Sequence, residues 1–338
     1  MRFTPVILFF FLYACGKEVR ISGVSEINGS TFTKNVRIDG HELDSLIIQD
    51  CVFNGGSLSL GNVNHVTIRN CIFQNIDNNA LKVGFIGPCS DILIENCHFE
   101  NIGFNGIDSH EDALDCTIRN CSFKQIALSE TGAAMAQPHH GIYWKGKNVR
   151  IEGNTFNAKD QPFGNGISVR SSGIIRNNVI INAPKNGIMY YSNHPGGDSL
   201  IIENNFLINN NYSISIATLG QEEWHNKHII IRFNSSIQSS NYSYYIAKGF
   251  ENTTSFEIYG NLIINTSGEY YKTFFDLPET YQNLELTSFD GFLSQDTDLH
   301  LTGDNAAIDF CMGLDSYPTE DIDGDIRSGS TLNAGADE

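Results

Sequence analysis

The sequence predicts an all-β fold: a single-stranded, right-handed parallel β-helix of about ten coils with an irregular C-terminal cap. Three observations predict it. A short phrase recurs along the chain, an Ile three residues before a small or polar residue that is followed by an apolar one. Examples are Ile48-Gln49-Asp50-Cys51-Val52-Phe53, Ile68 to Phe73, Ile94 to Phe99, Ile118 to Phe123, Ile151 to Phe156 and Ile202 to Leu207. Copies lie roughly 20 to 33 residues apart, the period of a solenoid. Within each copy apolar and polar residues alternate, as in Val66-Thr67-Ile68-Arg69, which is the period of a strand. Between copies stand Asn, Gly, Asp and Ser clusters with no 3.6-residue apolar period, so no crossover helix is available.

If each winding lies over the last, every position in the phrase becomes a column along the axis. One column reads Ser30, Cys51, Cys71, Cys97, Cys121 and then Asn154, Asn178, Asn205, Asn234, Asn261. An inward Asn at a bend can donate and accept along the stack and satisfy turn backbone groups that are costly to bury bare. Cys fills the same slot as a small hydrophobe. The cysteines fall on different coils and form no CxxC pair, so they read as core and not as a metal site.

The phrase runs from about Val24 to Thr266, which places the β-helix at 16–266 and leaves 267–338 as an acidic, irregular cap over the open end. Residues 1–15 read as an export signal. Behind Arg2, an apolar run from Val6 to Leu12 is too short to span a bilayer. Its end, Leu12-Tyr13-Ala14-Cys15, resembles the bacterial lipoprotein signal, which implies lipidation at Cys15 and anchoring in the bacterial cell envelope, periplasmic or at the cell surface. An ordinary secretory cleavage near Gly16 is the other reading, and both export the chain. With 21 basic against 39 acidic residues and a formal charge of -18, nucleic acid is excluded as a partner.

A second column carries the candidate chemistry. Strands are expected at Leu81-Lys82-Val83, Gly106-Ile107-Asp108-Ser109-His110, Gly141-Ile142-Tyr143-Trp144-Lys145, Gly166-Ile167-Ser168-Val169-Arg170 and Gly187-Ile188-Met189-Tyr190-Tyr191. With the Ile and Leu inward, alternation turns Lys82, Asp108, His110, Tyr143, Lys145, Ser168, Arg170 and Tyr191 outward, about 5 Å apart from coil to coil. In so acidic a chain this face is a local cationic exception.

Gly106-Ile107-Asp108-Ser109-His110-Glu111 resembles the Gly-Phe-Asp-Pro-His-Glu motif of mannuronan C5-epimerases, and Lys82-Val83 falls where that family has a catalytic Lys-Val. The resemblance implies a pectate-lyase-like solenoid that acts on alginate, with Lys82, Asp108 and His110 at the active site. Asn105 and Ser109 stand where the family has Tyr and Pro, and Tyr143 on the adjoining coil shares the outward slot of Asp108. The stretch from Lys145 to Arg170 resembles a second β-helix family, the alginate and chondroitin lyases, and implies a Lys base and an Arg acid on adjacent coils. The calcium-binding carboxylates of that family have no clear counterpart here.

Both resemblances imply removal of the C5 proton of a uronic acid. The neighbouring carboxylate must then be neutralised so that charge can spread onto it. Lys82, Lys145 or Arg170 would supply the positive charge, and His110 or Tyr143 would carry the proton. His140, Ser168 and Tyr191 are the expected substrate contacts, beside a loop from Ala127 to His140 that would wall the cleft. Reprotonation from the other face would give an epimer, and loss of the C4 oxygen a lyase product. The alternative is a non-catalytic surface protein that binds glycans. Asp321-Ile322-Asp323-Gly324-Asp325 lacks the ligand spacing of a calcium loop and reads as a turn. No metal or cofactor is assigned, with calcium left open, and the oligomeric state is not legible.

Overall fold

The computed structural model describes every residue except 1–12, 16–17, 41–44, 130–138, 160, 193, 195–198, 219–226, 248–252, 274–277, 289–291, 295–297, 303–304, 329–330 and 338. Among the described residues there is no α-helix, and three long parallel sheets carry the chain. Each winding contributes one strand to each sheet in turn. One coil, for example, runs through Leu81–Val83 in the first sheet, Cys89–Glu95 in the second and His98–Ile102 in the third. The third sheet is 11-stranded, so the solenoid slightly exceeds the coil number read from the phrase.

The phrase keeps its register throughout. Ile94 lies beside Ile68, Ile118 beside Ile94 and Ile151 beside Ile118. Each of these isoleucines is 0% exposed. Complete burial of an Ile stabilises by about 1.5 to 3 kcal/mol, and the repeat delivers that on coil after coil. The Phe of the phrase forms a column as well, through Phe32, Phe53, Phe73, Phe99, Phe123 and Phe156, with ring centroids 4.5 to 5.1 Å apart. Strand spacing imposes that face-to-face arrangement.

The sharp bend between the second and third sheets uses left-handed backbone. Asp50, Asn70, Asn96, Asn120, Asn177 and Asn204 occupy it with φ between 53° and 55°. Asn and Asp tolerate this conformation because their short polar side chains bond locally, and this is why the loops are rich in them. The next residue is the Cys or Asn of the ladder. Asn154, Asn178, Asn205, Asn234 and Asn261 each accept the backbone N–H of the preceding coil's ladder residue at 2.9–3.1 Å. The column extends to Asn283, which accepts from Asn261 N at 3.0 Å. The Cys residues of the same column are free and buried. Burial also holds the thiol of Cys116, a core cysteine outside this column, up at about 12.

The C-terminal boundary shifts. Tyr271–Thr273, Glu279–Tyr281 and Leu284–Leu286 add a further strand to each sheet, so the winding continues past 266. The segment beyond lies along the flank of the solenoid and not across its end. It bonds to the bend between the second and third sheets over several coils: Asn177 Nδ2 to Asp321 O at 3.4 Å, Arg232 Nη1 to Ser316 Oγ at 2.6 Å, Gly335 N to Gly260 O at 2.8 Å and Met312 N to Gln282 Oε1 at 2.7 Å. Ala307, Cys311, Leu332, Ala334 and Ala336 pack there against Phe206, Phe233 and Leu262 in a second apolar cluster. Apolar side chains on the outward surface of the third sheet, such as Phe206 and Leu262, explain the placement, because only the tail can cover them. The export-signal assignment falls largely on residues 1–12, outside the described residues. Tyr13–Cys15 pairs antiparallel with Glu18–Ile21 at the first edge.

Candidate functional site

The site lies on the outward face of the first sheet. Its strands are Leu81–Val83, Ile107–Ser109, His140–Trp144, Asn165–Val169 and Asn186–Ser192. Lys82 is in register with Asp108, Asp108 with Tyr143, Tyr143 with Ser168 and Ser168 with Met189. The column read from alternation therefore exists. Gly106 and Gly141 stand at the start of two of these strands because the chain there passes close over Phe123 and Phe156 of the Phe column. A Cβ on Gly141 would stand 2.6 Å from Gly166 O and 2.7 Å from Phe156 Cδ1. Gly141→Ala is accordingly expected to destabilise by about 2 to 3 kcal/mol in urea unfolding.

Lys145 Nζ forms an ion pair with Asp108 Oδ1 at 2.9 Å, with both side chains largely buried. Asn79 Nδ2 donates to the other oxygen of Asp108 at 2.8 Å. Burial pushes the Asp108 carboxyl above its ordinary range, and the charges of Lys145 and Lys82 pull it part of the way back. The ammonium of Lys145 also lies 4.4 Å from the centroid of the Tyr143 ring and 4.8 Å from that of Phe85. Arg170 sits between two tyrosines, 4.9 Å from the Tyr143 centroid and 4.7 Å from that of Tyr191. Its guanidinium is mostly buried, which pushes its pKa down, while the two tyrosines favour the charged form. No carboxylate pairs with Arg170 among the described residues, and its Nε has no hydrogen-bond partner. Lys185, which the sequence reading passed over, adds a cation close enough to Arg170 that burial first, and then Arg170, pulls its pKa down.

The remaining expected site residues fall in different places. His110 points outward but stays at the rim, hydrogen-bonded through Nδ1 to Asp112 at 3.1 Å and edge-on to Phe85 with ring centroids 5.7 Å apart. Phe85 lies against both His110 and Lys145 and so links His110 to the neighbourhood of the Asp108 ion pair. Ser168 is fully buried within the face, its hydroxyl without a hydrogen-bond partner. Trp144 turns inward as alternation requires.

His140 departs furthest from expectation. It is not on the open face but 1% exposed, part of a second inward ladder. Asn79 Oδ1 accepts Asn105 N at 3.0 Å, Asn105 Oδ1 accepts His140 N at 2.6 Å, and His140 Nδ1 accepts Asn165 N at 3.2 Å. The ring nitrogen thus does the work of an Asn oxygen, and it can do so only unprotonated. Burial pushes the His140 pKa well below the ordinary 6.5, helped by the positive charges of Arg170, His139, Lys185 and Lys145. A depressed histidine contributes stability that is fully present above the unfolded value and lost as pH falls below it. His140→Asn should keep the ladder and flatten the fall in stability that urea unfolding shows as pH drops below 6.5.

Residues 56–235 match the family model described as "Right handed beta helix region", which covers more than half of the chain. The chain belongs to the right-handed β-helix family. No curated protein matches this β-helix protein at a significant level. Among solved structures it is similar to a PL6 family alginate lyase, AlyGC, at 13% identity and a TM-score of 0.29. A mutant of the same lyase is similar at 12% identity and a TM-score of 0.25. In both cases the match covers 80% of this chain and 48% of the lyase, so the β-helix protein spans about half the length of these structures.

Proposed function

We propose that the outward face of the first sheet binds an anionic, uronate-containing polysaccharide and abstracts the C5 proton of one sugar, as a lyase or a C5-epimerase. The observation that carries this reading is Arg170: a mostly buried guanidinium held between two tyrosine rings, with no carboxylate partner among the described residues, on a chain of formal charge -18. A buried cation without a counterion is costly, and a sugar carboxylate is the partner that would relieve it bidentately. Asp108 does not serve that role because Lys145 already holds it.

With the uronate carboxylate on Arg170, the electron pair released from the C5–H bond spreads onto that carboxylate, whose charge Arg170 meets with Lys185 nearby. Tyr143, whose ring lies against both Arg170 and Lys145, takes the proton on its deprotonated phenolic oxygen, which becomes the neutral phenol. Return of a proton to the opposite face of C5 completes an epimerisation, whereas departure of the C4 oxygen with a proton leaves an unsaturated sugar. Incubation with alginate, pectate and glycosaminoglycans, followed at about 235 nm for unsaturated product and by proton NMR for inverted uronate, tests both branches. No change by either readout on all three substrates would eliminate the enzymatic reading.

One observation favours a second reading, a non-catalytic glycan binder: Lys145 and Tyr143 are both already engaged, by Asp108 and by two cations. Tyr143→Phe separates the two, because it would leave glycan affinity nearly unchanged in a binder and abolish turnover in an enzyme. We propose further that residues 1–15 export the chain and that Cys15 is lipidated. Membrane fractionation of Cys15→Ala beside the parent tests the anchor.

A further inference from the structure

We propose that His300, Asp323 and Asp337 form a binding site for a divalent transition-metal ion of the Zn2+ or Mn2+ kind, which clamps the C-terminal segment into place. The three residues come from separate stretches of that segment. One ligand atom from each lies within 4.8 Å of the other two. Metal bonds of about 2.0 to 2.2 Å hold neighbouring ligands roughly 3 to 3.5 Å apart, so the set needs only a small adjustment.

Asp337 points to the ligand independently of that spacing. It is 7% exposed, its Oδ2 accepts Leu301 N at 2.7 Å, and it has no other hydrogen bond or ion pair among the described residues. Its Oδ1 accepts no hydrogen bond among the described residues, which leaves one oxygen of a largely buried side chain open to a ligand. Asp321 Oδ1 accepts the backbone N–H groups of Asp323 at 2.9 Å and Asp325 at 2.8 Å, and so shapes the turn that presents Asp323. His300 Nε2 already meets Asp323 Oδ2. Three carboxylates around one imidazole leave excess negative charge in a partly buried place, which a divalent cation neutralises. The imidazole favours a transition ion over calcium.

The place has a structural use. The tail's own apolar cluster is small and rich in alanine, and a metal joining its distant parts would add the cross-link such a segment needs. The site lies over the third sheet, where the Phe206 ring stands edge-on to His300 at 5.9 Å, and is separate from Asp108 and Arg170 on the first.

The test uses the full chain after chelator treatment and dialysis, titrated calorimetrically with ZnCl2, MnCl2 and CaCl2 in turn, with thermal unfolding alongside. One equivalent of Zn2+ or Mn2+ should bind and raise the unfolding midpoint by several degrees. Asp337→Asn keeps an acceptor for Leu301 N, and His300→Gln changes a half-buried ring; each should weaken binding at least tenfold while far-UV circular dichroism stays that of the solenoid. No saturable binding of either transition ion overturns the proposal. So does binding that persists in both variants, or calcium binding indifferent to His300→Gln.

Discussion

Replacing Arg170 with Met is expected to lower turnover on the responsive uronan by about 10³-fold, the scale set by removing a group that meets developing charge in a transition state. Stability should move the other way or not at all. Arg170 is mostly buried, and its guanidinium has aromatic faces but no carboxylate beside it among the described residues. An apolar side chain of similar length removes a desolvated charge, so urea unfolding should show a change between zero and a gain of about 1 kcal/mol. Arg170→Lys keeps the charge but loses the planar stack and the fork, and should recover only part of the rate. Turnover that survives in Arg170→Met, with unchanged kcat and KM, would remove Arg170 from the chemistry. The opposite pattern is expected at Asp108: Asp108→Ala strands Lys145 in a largely buried place and should cost about 3 kcal/mol or more.

The second large effect lies far from the site. Asn205→Ala is expected to cost about 3 to 5 kcal/mol in urea unfolding, because it strands several buried groups at once. Asn205 Nδ2 donates to Ile175 O at 3.0 Å, Glu203 O at 2.9 Å and Asn234 Oδ1 at 2.8 Å, while its Oδ1 accepts Asn178 N at 3.0 Å and Asn178 Nδ2 at 2.9 Å. Cys97→Ala, in the same column, should cost clearly less. Its thiol donates to Glu95 O at 3.3 Å and lies 3.7 Å from Ile68 O, contacts a weak donor makes at little energy. Equal losses in the two variants would mean that the Asn column contributes packing alone.

The two ladders show what kind of information a repeat carries. The Cys-to-Asn column was legible because its position is fixed relative to the Ile of the phrase, and one residue, Asn283, extended it. The ladder through Asn79, Asn105, His140, Asn165 and Asn186 carried a signal that went unused: four of its five members stand directly before the Gly that opens a strand of the first sheet. Reading that position as a column would have taken His140 out of the cleft and into the core. It also accounts for Asn105, which stands where the resemblance places a Tyr and is occupied in joining Asn79 to His140. His110 shows the limit of alternation. The period correctly turns it outward, but its contacts with Asp112 and with Phe85, on the turn after the preceding coil's strand, have no period to announce them.

Sequence by itself determined the windings, because a solenoid contact joins residues one repeat apart and the repeat is written in the order of residues. It determined in the same way which side chains face outward on the first sheet. Tertiary structure alone decided the rest. That Lys145 takes Asp108, that Arg170 is left between two rings with no carboxylate partner among the described residues, and that His300, Asp323 and Asp337 come together are outcomes of side-chain reach and of a tail folding back over several coils. Neither has a period, so no spacing along the chain encodes them.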